Sequence, residues 1–111
     1  MIGRAAVIAI VALALSGCAG GNDGGDPVAT DAIAMARSYR FAPVVATVSA
    51  GTTVTWMNED NFTHNVRIGD DIVGEAAPGG SVTHEFAQPG TYKYDCSLHP
   101  NDMTGEVVVT E

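Results

Sequence analysis

The chain has 111 residues, 46% hydrophobic and 16% charged, with 13 acids against five bases and a formal net charge of −8. That length holds one small domain, which excludes multi-domain oxidoreductases, large α/β enzymes and polytopic membrane proteins. The acidic balance argues against nucleic acid as a partner, because phosphate backbones are held by lysine and arginine and repelled by a diffuse negative surface.

Met1 to Arg4 is a short, positively charged start, and Ala5 to Leu15 is an unbroken apolar run of 11 residues. A bilayer crossing needs roughly 20 apolar residues, so this run fits the apolar core of an export signal. Leu15-Ser16-Gly17-Cys18 follows directly and resembles the lipobox of prokaryotic lipoproteins, where small residues precede a cysteine that becomes lipidated. The resemblance implies a signal peptide over residues 1–17 and a lipidated Cys18 as the new N-terminus. The protein is then exported and held by lipid on the outer face of the cytoplasmic membrane, on the periplasmic or extracellular side. The alternative is a soluble exported protein cut at the same small residues. Export removes Arg4 and no acid, leaving four bases against 13 acids, a net −9. Residues 18–31 carry five glycines or prolines and three aspartates without apolar periodicity, the composition of a flexible tether.

The two cysteines look at first like a disulfide pair. With Cys18 lipidated, the folded part over residues 32–111 contains Cys96 alone, and no intrachain disulfide can form. A lone thiol outside the cytoplasm oxidises or cross-links unless it is buried or bound to something.

From about residue 32 short β-rich runs alternate with glycine, proline and polar clusters: Ile33–Ala36, Val44–Val48, Thr52–Met57, His64–Ile68, Val82–Phe86, Thr91–Asp95 and Gly105–Thr110. Thr52-Thr53-Val54-Thr55-Trp56 and Thr91-Tyr92-Lys93-Tyr94 alternate strictly, as strands with one buried face do. The pattern predicts an all-β fold, a small antiparallel Greek-key sandwich of about seven to eight strands. Ala32 to Arg37 has a helical alternative, since Ala, Met and Arg favour helix. Gly69 to Ser81, with Pro78-Gly79-Gly80, reads as an irregular loop. A domain of this size buries only ~60–65% of the surface its unfolded chain exposes, and a bound metal offsets part of that deficit.

Cys96-Ser97-Leu98-His99-Pro100-Asn101-Asp102-Met103 lies near the C-terminus, with His64 about 30 residues upstream. A thiolate, two imidazoles and a thioether make the donor set of a mononuclear blue-copper site. Soft sulfur suits Cu(I), imidazole serves both oxidation states, and a trigonal His2Cys arrangement with a weak axial Met changes little on redox cycling.

The chain resembles the cupredoxins, in particular the plastocyanin, amicyanin, pseudoazurin and halocyanin-like proteins, over most of residues 39 to 111. Val54-Thr55-Trp56-Met57-Asn58 leading to His64-Asn65-Val66 is similar to the strand and loop that carry the family's first histidine. Gly90-Thr91-Tyr92-Lys93-Tyr94-Asp95-Cys96 is similar to the entry of its copper loop, and Gly105-Glu106-Val107-Val108-Val109 to the exit strand. The resemblance implies one type 1 copper ion with His64, Cys96 and His99 as equatorial ligands and Met103 as the axial one. It also implies that Asn65 and Ser97 brace the loop behind the thiolate. The three-residue gap from His99 to Met103 lies between the family's amicyanin-type and plastocyanin-type loops, so it does not assign a subfamily. His84 reads as a partly buried strand histidine, Met35, Met57 and Trp56 as packing residues, and the scattered acids as solvated surface.

The function expected from the resemblance is one-electron transfer by a lipid-tethered monomer, with no catalytic residues and redox protein partners docking near His99. A copper-binding or delivery protein using the same ligands is the alternative. A multi-copper enzyme would need more histidines than His84 can supply.

Overall fold

The structure is a computed structural model that describes residues 26–111; the expected signal segment and Cys18 lie outside the described residues. Ten strands follow in chain order: β1 (Val28–Ala29), β2 (Ala32–Ala36), β3 (Arg40–Ala42), β4 (Val45–Ser49), β5 (Thr52–Asn58), β6 (His64–Ile68), β7 (Asp71–Ala76), β8 (Ser81–Phe86), β9 (Gly90–Asp95) and β10 (Thr104–Thr110). In β5, Val54, Trp56 and Asn58 are buried, and in β10 Gly105, Val107 and Val109 are, so each strand lays one face on a common core.

The strands form two packed sheets, one of six in the order β1-β4-β10-β9-β6-β7 and one of four in the order β3-β2-β5-β8. The sandwich is mixed, where hairpin patterning alone predicted an antiparallel one: β1–β4, β4–β10 and β2–β5 are parallel pairs. Parallel neighbours need a crossover connection, and here the chain supplies it by changing sheets, from β1 to β2, from β3 to β4, from β4 to β5, from β5 to β6 and on either side of β8.

All seven expected runs are strands, and three further strands appear. β1 falls inside the segment expected as tether, and Asp31 O accepts a hydrogen bond from Thr55 N at 2.9 Å, so ordered pairing begins at Val28. β3 is too short to show alternation. β7 occupies part of the segment read as a loop; it is an edge strand with only Ala76 buried, so backbone pairing with β6 creates it rather than an apolar face. Over Ala32–Ala36 the alternating burial of Ile33 and Met35 against β5 outweighs the helix propensity of Ala and Met. Met57 is 45% exposed, against the packing role expected of it, because period two turns it away from its buried neighbours Trp56 and Asn58.

The core centres on aromatic rings: Tyr94 meets Phe41 at 4.7 Å and Trp56 at 5.3 Å between ring centroids. Glycine makes room for it, since a Cβ on Gly105 would lie 2.5 Å from the Tyr94 hydroxyl. At one end of the sandwich the turn 37–39, the loop 59–63, the turn 77–80 and the loop 96–103 come together.

Candidate metal centre

The site is built outward from Asn58, the last residue of β5. Its side chain is buried and organises the loop that follows: Nδ2 donates to Phe62 O at 2.8 Å and Ala76 O at 2.9 Å, while Oδ1 accepts from Asp60 N at 2.8 Å. That last bond is an Asx turn. It presents Asp60, whose Oδ1 accepts from Asn61 N at 2.8 Å and whose Oδ2 lies 2.9 Å from His64 Nε2. The hydrogen bond to His64, followed by the Asn61 amide, holds the Asp60 carboxyl below the usual carboxylate range against the opposing effect of burial. An ionised carboxylate only accepts, so Nε2 of His64 carries the proton and Nδ1 keeps a free lone pair. That Nδ1 faces the sulfur of Cys96 at 3.8 Å, and both residues are fully buried.

Cys96 ends β9. Its N–H donates to Met103 O at 3.0 Å, closing the loop between β9 and β10, and its sulfur accepts from Asn65 N at 3.5 Å. The Asn65 side chain and Ser97 exchange two bonds of 2.8 Å each, Ser97 N to Oδ1 and Nδ2 to Ser97 Oγ, which tie β6 to the loop beside the thiol. His64, Asn65 and Val66 are all buried, and directly after them the pairing with β7 shifts register between Val66 and Arg67, leaving Val73 of β7 unpaired. Just beyond it, Arg67 makes a two-pronged ion pair with Asp95 at 2.9 and 2.8 Å, clamping β6 to β9 one residue before the cysteine.

Within the loop, Cys96 O accepts from His99 N at 3.0 Å, and His99 O accepts from Asp102 N at 3.2 Å and Met103 N at 3.0 Å. Two successive turns therefore span the interval from cysteine to methionine, with the three-residue gap taken up by the second. Met103 is fully buried. His99 is half-buried at the rim, its ring stacked on Tyr39 at 4.1 Å and 19°, and 5.5 Å from the His64 ring. His84 is remote, on β8 opposite Val54 and edge-on to Phe86.

Among the described residues no three His, Cys, Asp or Glu side chains already close into a cage. What is preformed is the facing pair Cys96 and His64, with His99 beside it and a buried thioether ending the loop. The pair fits a metal: bonds of roughly 2.3 Å to sulfur and 2.0 Å to nitrogen, spread trigonally, set the donors about 3.7 Å apart, close to the spacing found here. Asp60, already engaged by His64, orients that imidazole rather than offering a free donor of its own.

The model of copper binding proteins of the plastocyanin/azurin family matches residues 28–110. The chain belongs to this cupredoxin family. Its cofactor is one type 1 copper ion, in keeping with a donor set of soft sulfur and imidazole. The chain is 41% identical over 69 residues to an amicyanin from Paracoccus denitrificans, covering 56% of this cupredoxin and 52% of the relative. It is 35% identical over 83 residues to a chloroplastic plastocyanin from Tetradesmus obliquus, covering 62% and 57%. The chain thus spans little more than half the length of these two relatives. Among solved structures, a purple cupredoxin from Nitrosopumilus maritimus superposes with a TM-score of 0.64 at 29% identity, covering 71% of this chain and 98% of that one.

Three residues of this pole were not singled out in the sequence: Asn58, Asp60 and Tyr39. For Asp60 a signal existed, a carboxylate four residues before the histidine within one polar loop. For Tyr39 there was none, since its contacts arise only where separate loops meet.

Proposed function

We propose that this cupredoxin is a one-electron carrier in which His64, Cys96 and His99 would hold the copper, with Met103 as a further, weaker donor. Bound there, copper supplies a single electron by cycling between Cu(II) and Cu(I). The observation that carries the reading is the buried Cys96 sulfur facing His64 Nδ1 at 3.8 Å, with that nitrogen freed by Asp60. Two of the donors and the loop that carries the others are held by bonds that do not depend on the metal: His64 by Asp60, the Cys96 sulfur by Asn65 N, the loop by Ser97 and Asn65. Ligands fixed in this way move little when the charge at the site changes, which is what rapid electron exchange requires. Four protein donors leave no position for a substrate or water, so the site carries charge and makes no bonds.

His99 is the donor that reaches the rim, and Phe62 and Leu98 near it are 54% and 50% exposed, with Pro100 and Pro78 also at the surface. This apolar patch is where redox protein partners dock, through the small interface of a transient complex. The carrier is a monomer, exported and anchored through lipid at Cys18 on the outer face of the cytoplasmic membrane.

Addition of Cu(II) to purified protein is expected to give an intense visible thiolate-to-copper band with narrow parallel hyperfine splitting. Cys96→Ser abolishes the band, whereas Met103→Leu shifts the reduction potential and keeps much of the colour. A folded protein that stays colourless with copper rules the reading out. A blue protein with sluggish electron self-exchange and readily lost Cu(I) points to copper delivery instead.

A further inference from the structure

The turn between β2 and β3 holds two consecutive non-glycine residues in the left-handed region, Ser38 at φ 72° and Tyr39 at φ 57°. L-residues other than glycine, asparagine and aspartate adopt this conformation at a conformational cost, and it persists only where surrounding contacts over-determine it. Here the contacts are made by the Tyr39 ring. It stacks on His99 at 4.1 Å and 19°, meets the edge of His64 at 5.8 Å and 80°, and tilts against Phe62 at 5.8 Å. The strained turn delivers an aromatic face to the imidazole at the rim.

The need for such a contact follows from how the other donors are held. His64 is fixed by a carboxylate and full burial, and Cys96 and Met103 are fully buried. His99 is only partly buried, and the bonds of its loop run through its backbone N–H and carbonyl, which set the path of the chain and leave the ring to packing. Stacking restricts rotation of the ring and shields one of its faces from water.

We infer that Tyr39 is a positioning residue of the copper site, clamping the His99 imidazole in its ligating orientation before the metal arrives and slowing its departure afterwards. The inference rests on the reading of His99 as a ligand. It concerns the ring and not the phenol oxygen, so phenylalanine is expected to substitute for tyrosine while leucine is not. Asparagine, which accepts the left-handed backbone, removes the ring without relying on a bulky replacement at a strained position.

Two measurements test it. In the copper-free protein, the His99 ring C–H resonances are shifted upfield by the Tyr39 ring current. They stay there in Tyr39→Phe and move towards ordinary histidine positions in Tyr39→Leu and Tyr39→Asn. In the reduced, copper-loaded protein, transfer of Cu(I) to excess bathocuproine disulfonate is about 2- to 10-fold faster in Tyr39→Leu and Tyr39→Asn, the factor an aromatic pair supplies, and within about 2-fold of wild type in Tyr39→Phe. Unmoved His99 resonances in the leucine and asparagine variants overturn the inference, as does a phenylalanine variant that loses copper as fast as they do. A wild-type protein that takes up no blue copper overturns the ligand assignment itself. A blue wild type whose leucine and asparagine variants release copper at its own rate overturns only the role of Tyr39.

Discussion

At the scale of single residues, Asp60 sets the chemistry of a nitrogen it does not touch. By accepting the Nε2 proton of His64 it fixes which lone pair faces Cys96. Partners of this kind typically contribute 10- to 100-fold in metal affinity, so Asp60→Ala should weaken copper binding by about that factor in a competition titration while the protein stays folded. The buried Tyr94 hydroxyl is a second such case. It makes no hydrogen bond of ordinary geometry, and burial pushes its pKa well above the usual tyrosine range, with the Trp56 indole opposing only in part. The unfolded chain therefore releases this proton near pH ~10 while the folded one retains it, so stability is level below that pH and falls above it. Tyr94→Phe is expected to flatten the alkaline limb of urea-unfolding stability against pH. At pH 7 it should be at least as stable as wild type, because an unpaired buried hydroxyl is lost.

At the scale of elements, the loop from Glu59 to Thr63 depends on one side chain. Asn58→Ala would leave Phe62 O, Ala76 O and Asp60 N without their present partners. A loss of about 2–4 kcal/mol in urea unfolding is expected, with copper affinity falling as Asp60 loses its support. The elements also show what patterning reveals. β5 was legible because threonines alternate with Val54 and Trp56, and β10 because Val107-Val108-Val109 is a β-branched run. β7 was not, because its partner β6 recruits it through the backbone and only Ala76 of its side chains is buried. The run from Cys96 to Met103 stood out for a different reason: residue types suited to copper stand close together in the chain.

For the molecule as a whole, a core of this size leaves a narrow margin of stability, and a bound ion adds to it by mass action. With free copper at a thousand times the dissociation constant, the gain is ~4 kcal/mol. Each kcal/mol moves the midpoint of so small a domain by ~4–8 °C, so stripping copper should lower the calorimetric Tm by roughly 15–30 °C. Cys96→Ser should melt close to the copper-free wild type whether or not copper is added. The net charge of −8 acts on association rather than on the fold, and added salt should slow electron transfer to a basic partner more than to a neutral one.

The strands that face the core, the donor types and the metal they suit were determined by the sequence alone, because each is written in neighbouring residues: period-two burial along a strand, and sulfur and imidazole within one loop. The parallel pairings, the placing of Asp60 behind His64 and the stacking of Tyr39 on a histidine 60 positions away were decided only by the tertiary structure. Alternation states which face of a strand is buried but not which strand lies beside it. Which loops share a pole follows from that order, and from it follow the contacts that orient the donors.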